Sequence, residues 1–167
     1  MNLHNLDTKM IPAFAVLAML TAAGCMHHPH QSSNDFRYLN PADMPKPPPI
    51  FNQIVVAPRH GTPVYISGQV AFDRDGRVVG EGDMAKQIDQ SFANLRAAIT
   101  AAGGQPGQVT RLMVFIVDFR PEHLKLLFAA MRASFPADRM PANTLLGVSR
   151  LARDGLVFEV QADMVIP

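Results

Sequence analysis

The chain is poor in cysteine, in surplus charge and in long apolar runs, and each shortage excludes a class of protein. Its one cysteine, Cys25, rules out an intramolecular disulfide framework and any zinc site built on paired thiolates. Fifteen Lys and Arg stand against fourteen Asp and Glu, a formal net charge of +1. That balance leaves no cationic surplus to hold a polyanion, so nucleic acid is not an expected partner. The longest apolar run, residues 10–23, has 14 residues. A helix needs roughly 20 to cross a bilayer.

What is present falls into two regimes. Of 14 prolines, seven lie at or before Pro49 and seven in the longer remainder. The first regime opens with Lys9 and the short apolar run, and ends in Leu20-Thr21-Ala22-Ala23-Gly24-Cys25. Small residues before a lone cysteine resemble the bacterial lipobox, in which the thiol receives the diacylglycerol. The expectation is a signal peptide over 1–24 and a lipidated Cys25 opening a mature chain of 143 residues. Met26 follows the cysteine where an aspartate would signal inner-membrane retention, which directs the expectation to the outer membrane facing the periplasm. A start codon placed too early would instead make the protein cytoplasmic. Residues 26–49 hold six prolines and no apolar periodicity, and read as a semi-extended tether. His27, His28 and His30 beside Cys25 imitate a metal cluster, but a lipidated sulfur is a thioether. No metal or cofactor is expected.

From Ile50 onward the pattern is that of a domain of 118 residues, with 12 cations and 11 anions. Residues 64–72 alternate, with Val64, Ile66, Val70 and Phe72 on one face, the period of a strand. Asp75-Gly76 marks a turn into a second strand at 77–79. Asp83 is a candidate N-cap for a helix whose Ile88, Phe92, Leu95, Ile99 and Ala102 draw one stripe, stopped by Gly103-Gly104. The continuous apolar run 112–117 predicts a buried central strand. Pro121 leads into a second amphipathic helix through Leu124, Leu127, Phe128, Met131 and Phe135, ended by Pro136. Strands at 144–148 and 156–165 close the chain. The order β-β-α-β-α-β-β is an α+β arrangement with two helices on one face of a sheet. Lacking a third helix, the other face finds its cover by self-association.

Several segments in this order resemble the RidA/YjgF family of reactive-intermediate deaminases. They are Val64-Tyr65-Ile66-Ser67-Gly68-Gln69-Val70, then Ala101-Ala102-Gly103-Gly104, Gln108-Val109, Phe135-Pro136, Met140-Pro141-Ala142, and Phe158-Glu159-Val160-Gln161-Ala162. The resemblance covers about 51–165. It implies a chorismate-mutase-like fold, a homotrimer whose sheets form a central barrel, and three ligand clefts between subunits. It implies as chemistry the hydrolysis of 2-imino or enamine acids to 2-keto acids and ammonia. Such chemistry needs a cation to hold the carboxylate and a carboxylate to orient water.

Carried over position by position, the resemblance gives five site residues. Glu159 matches the glutamate that orients water, and is the catalytic residue if the chain is an enzyme. Gly68 matches the loop glycine whose backbone approaches the ligand. Asn143 occupies the place of the family's carboxylate-holding arginine, and can offer only neutral hydrogen bonds. Phe51 stands where active members have a tyrosine, and Leu145 where they often have a cysteine. Arg139 and Arg150 are the nearest cations in sequence to Asn143, and read as solvated surface residues.

Three readings follow. The chain binds a small polar metabolite of carboxylate, carbonyl or imine type in its clefts without standard deaminase activity. Alternatively it is an imine deaminase, a hydrolase, with Glu159 activating water. The third, an endoribonuclease or translation inhibitor, is opposed by the absence of a basic patch. Location bears on the choice, because the usual enamines arise in the cytoplasm and hydrolyse quickly, so a periplasmic copy would seldom meet them.

Overall fold

Alternating apolar residues at 64–70, 109–117 and 158–166 build three long strands of one sheet in the computed structural model, which describes residues 35–167. In chain order the elements are β1 (Arg37–Leu39), β2 (Ile54–Val56), β3 (Thr62–Val70), α1 (Met84–Ala101), a single 3₁₀ turn at Pro106–Gln108, β4 (Val109–Val117), α2 (His123–Ser134), β5 (Ala142–Val148) and β6 (Phe158–Ile166). Cys25, the lipobox and the expected signal peptide lie outside the described residues.

The main sheet has the order β3-β6-β4-β5. β6 runs antiparallel to both β3 and β4, while β5 runs parallel to β4, with Asn143 opposite Leu112 and Leu145 opposite Val114. β3 and β5 are therefore the two free edges. Three interstrand steps separate them, roughly 14 Å.

Both helices cover one face. Leu112, Val114, Ile116, Phe158, Val160, Ala162 and Met164 from the sheet join Ile88, Phe92, Leu95 and Ile99 of α1 and Leu127 and Met131 of α2 in one buried cluster. Phe92 is its centre, 5.9 Å from the Phe158 ring and 6.4 Å edge-on from Phe135. The N-cap reading holds: Asp83 Oδ1 accepts the Lys86 backbone N–H at 3.1 Å. That bond is the main cause holding the Asp83 carboxyl below its ordinary value, so its contribution is present above the unfolded value and fades as the pH falls through the lowered one. Gly103, at φ +79°, closes α1 in the left-handed conformation that suits glycine.

The opposite face presents Arg111, Met113, Phe115, Glu159, Gln161 and Asp163, half-buried or exposed, beside Tyr65 at 79% exposure. No described element covers it. Among the described residues no helix is long and apolar enough to cross a membrane.

Two expectations need correction. Residues 77–79 form no strand; only a single bridge, Phe72 to Val78, follows the Asp75-Gly76 turn, because Asp73 Oδ1 takes the Asp75 and Arg77 N–H groups locally. The proline-rich stretch also includes folded chain. β1 lies inside it and pairs with β2, Tyr38 opposite Val55. Its prolines fall outside these three residues, so they never interrupt the pairing.

Tyr38 fastens this hairpin to the domain by donating from its hydroxyl to the Gly107 carbonyl at 2.9 Å. Burial pushes the hydroxyl above its ordinary value, against a smaller pull from Arg139 and with a small addition from Asp138. The protonated form is the one the fold favours, so this contribution is complete below the unfolded value of 10.0 and is lost as the pH rises through the raised one. Tyr38→Phe keeps the ring and removes the bond. It should lower the unfolding free energy by about 1 kcal/mol in urea denaturation, and the difference from wild type should shrink in strong alkali.

Candidate functional site

The candidate residues sort into two groups set by the sheet. Gly68 sits in a β-bulge of β3: pairing slips between Ile66, opposite Ala162, and Gln69, opposite Val160, so β3 carries an extra residue. The bulge brings its backbone under the Glu159 side chain. A Cβ built at Gly68 would overlap the Glu159 carboxylate. Glu159 itself pairs with Val70 and Phe115, which places it on the face away from the helices. A carboxylate lying on bare backbone at a bulge can accept from a water or a protonated nitrogen brought there.

Asn143 and Leu145 lie on the other edge strand and the other face. Their partners in the parallel ladder, Leu112 and Val114, are fully buried on the helix side, and Leu145 packs against that core. Asn143 Oδ1 is buried and has no hydrogen-bond partner. A buried amide oxygen left unpaired costs stability that a structural asparagine would recover through a local bond. Its backbone has no such use for it. Neither nearby arginine reaches this position as an ion partner: Arg139 pairs with Asp138 and packs beside Gly107, and Arg150 pairs with Asp154.

Phe51 belongs with this second group. Asn52 donates from its backbone to Pro141 O at 3.2 Å and from Nδ2 to Met140 O at 2.7 Å, which ties the chain beside Phe51 to the entry of β5. Phe51, half-buried, lines a cavity of about 570 Å³ together with Asn52, Met140, Met44, Lys46 and Pro49. Two-thirds of that wall comes from residues 40–49, which composition alone assigns to a tether. The one sequence signal for it was Ile50, an apolar residue directly after the proline run, now 2% exposed. Gly68 borders a separate groove between β3 and α1. Among the described residues no group of three or more His, Cys, Asp or Glu side chains could hold a metal ion.

One chain thus brings Gly68 to Glu159, and Phe51 to the strand entry before Asn143 and Leu145. It does not bring the two groups together. A site using all five residues takes one group from each of two copies.

Comparison with known proteins agrees with this architecture. The domain family described as Endoribonuclease L-PSP matches residues 43–166. A RutC family protein of Pyrococcus horikoshii is 30% identical over 121 residues, 71% of this chain and 88% of that protein. The 2-iminobutanoate/2-iminopropanoate deaminase of Salmonella typhimurium is 31% identical over 108 residues, 61% of this chain and 78% of that one. Among solved structures, YyfB of Yersinia pestis, described as a protein of unknown function of the conserved Rid family, is 32% identical. It superposes with a TM-score of 0.74, covering 80% of this chain and 100% of its own.

Proposed function

The chain belongs to the Endoribonuclease L-PSP family, the RidA/YjgF proteins, and on that premise we propose that it holds a small polar metabolite in clefts shared between copies of itself. Its α+β architecture is that of the Rid structures. The observation that carries the reading is the division of the candidate residues between opposite edges and faces of one sheet. A homotrimer packed through the uncovered sheet face joins them. That face already offers Met113, Phe115 and the 40% exposed Leu146 for burial.

The ligand is of carboxylate, carbonyl or imine type, and standard deaminase activity is absent. The relatives named imine deaminases support the ligand class. Against their activity in this chain stands Asn143, a neutral amide where the resemblance places an arginine; a charge-assisted bidentate pair is roughly twice as strong per bond as a neutral one. A nucleic-acid substrate is disfavoured, because 12 cations and 11 anions in 50–167 leave no basic surplus. Lipidation of Cys25 and attachment to the cell envelope remain part of this proposal. They rest on the sequence 20–25 alone. Palmitate labelling retained in Cys25→Ser would remove them.

The test couples purified protein to an amino-acid oxidase that generates a 2-imino acid, and follows imine decay. Wild type should add little to the spontaneous rate. Asn143→Arg should raise the catalysed rate by about tenfold or more, the worth of a charged hydrogen bond over a neutral one. Acceleration by wild type that Glu159→Ala abolishes would replace this reading with the hydrolase. A sedimentation mass of one subunit would remove the shared cleft.

A further inference from the structure

We propose that Lys46 is the group that holds the ligand's carboxylate in this chain. The proposal rests on the reading above that the cleft takes a carboxylate ligand and that Phe51 belongs to its wall, and it adds the residue that would meet the carboxylate. The cavity of about 570 Å³ beside Phe51 has the size of a small-molecule site, which usually spans roughly 300–1,000 Å³. Its wall is mostly apolar, through Met44, Pro49, Phe51 and Met140. No Asp or Glu lines it, and Lys46 is its one cation.

The other polar groups of the wall are already engaged. Asn40 Nδ2 donates to Asn52 Oδ1 at 2.8 Å, and Asn40 Oδ1 accepts from the Gln53 backbone N–H at 2.8 Å. Asn52 Nδ2 gives one of its two hydrogens to Met140 O. Lys46 makes no ion pair among the described residues. An unpaired ammonium beside a wall that carries no carboxylate favours an anion.

The lysine is also held in place by its chain. Pro45, Pro47, Pro48 and Pro49 fix their own φ angles on both sides of it. Gln53 Nε2 donates to Pro45 O at 3.0 Å, and Ile50, buried, closes a turn through its N–H to Pro48 O at 2.7 Å. The proline-rich run is therefore a rigid platform at this point. The segment packed against the entry of β5 thus carries a cation beside a strand whose Asn143 is neutral.

The test measures 2-oxobutanoate binding by isothermal titration calorimetry at low salt. The variants are Lys46→Ala, Lys46→Arg, Lys46→Glu and Phe51→Ala, with circular dichroism and sedimentation confirming that each keeps its fold and assembly; Lys46 is exposed, so its changes leave the core untouched. Lys46→Ala should raise the Kd by about tenfold, the value of a hydrogen bond to a charged group, and Lys46→Glu by more. Lys46→Arg should stay near wild type. Added salt should weaken wild-type binding and leave Lys46→Ala unchanged. An unaltered Kd in Lys46→Ala, with weakened binding in Phe51→Ala, overturns the lysine assignment while the cleft reading stands. No binding by wild type overturns both.

Discussion

Replacing Gln87 by leucine should lower the unfolding free energy by about 3 kcal/mol, although the two side chains are close in volume. Gln87 is a fully buried residue on the first turns of α1. Its Nε2 donates to Gly155 O at 2.6 Å and to Gly80 O at 3.2 Å, and its Oε1 accepts from the Val157 N–H at 2.8 Å. One amide thus fastens the loop before α1 and the loop before β6 to the helix. A leucine leaves no cavity but strands three backbone groups, each worth about 1 kcal/mol net. Gln87→Glu should be no better at neutral pH, because a carboxylate can still accept from Val157 but faces two carbonyl oxygens. Acid should recover part of its loss, since the protonated carboxyl can donate again. Urea denaturation at one fixed protein concentration reads both effects, the concentration being held because the proposed self-association would add to apparent stability. A leucine variant as stable as wild type would mean that water satisfies these groups.

Gln87 also illustrates why the fold was only partly legible. That it falls within the helix after Asp83 was readable, but its partners lie 68 and 70 residues away, and no local pattern reports them. Local chemistry was legible wherever period and cap agree. The alternation around Ile66 and Val160, the Asp83 cap and the Gly103 stop all correspond to observed elements. β4 begins at Val109, three residues before the apolar run at Leu112, because Val109 pairs with Met164 and Arg111 with Asp163, with Thr110 at an irregularity between them. β1 and β2 escaped because three-residue strands are too short to show a period, and because proline density around β1 outweighed Tyr38 within it. The parallel pairing of β4 with β5 is a matter of tertiary docking, which residue pattern does not carry.

The same limit applied to the site. Residue type at Gly68, Glu159 and Asn143 was plain in the sequence. That Gly68 and Asn143 lie on opposite edges depends on β6 inserting between β3 and β4, a long-range fact. Lys46 escaped for a different reason: a lysine among prolines reads as a solvated linker until Ile50 and Gln53 are seen to pin that linker to the domain.

Gly68→Ala should cost the cleft its carboxylate while sparing the fold. The atoms nearest the added methyl all belong to the Glu159 side chain, so the flexible carboxylate yields first. β3 need not move, since the bulge already relaxes its pairing between Ile66 and Gln69. Stability should therefore fall by less than about 1 kcal/mol, the ordinary range for substitutions that disturb no buried group. Function is another matter. In the Asn143→Arg background, where imine hydrolysis should be measurable, displacing the group that orients water should lower the rate by about a hundredfold. If that loss acts through Glu159, then Gly68→Ala and Glu159→Ala are not independent. The double variant should be no slower than either single one, a coupling that a cycle of the four proteins measures directly. Losses that add would place the effect of the methyl on the ligand itself, and a rate unchanged by Gly68→Ala would take the carboxylate out of the reaction.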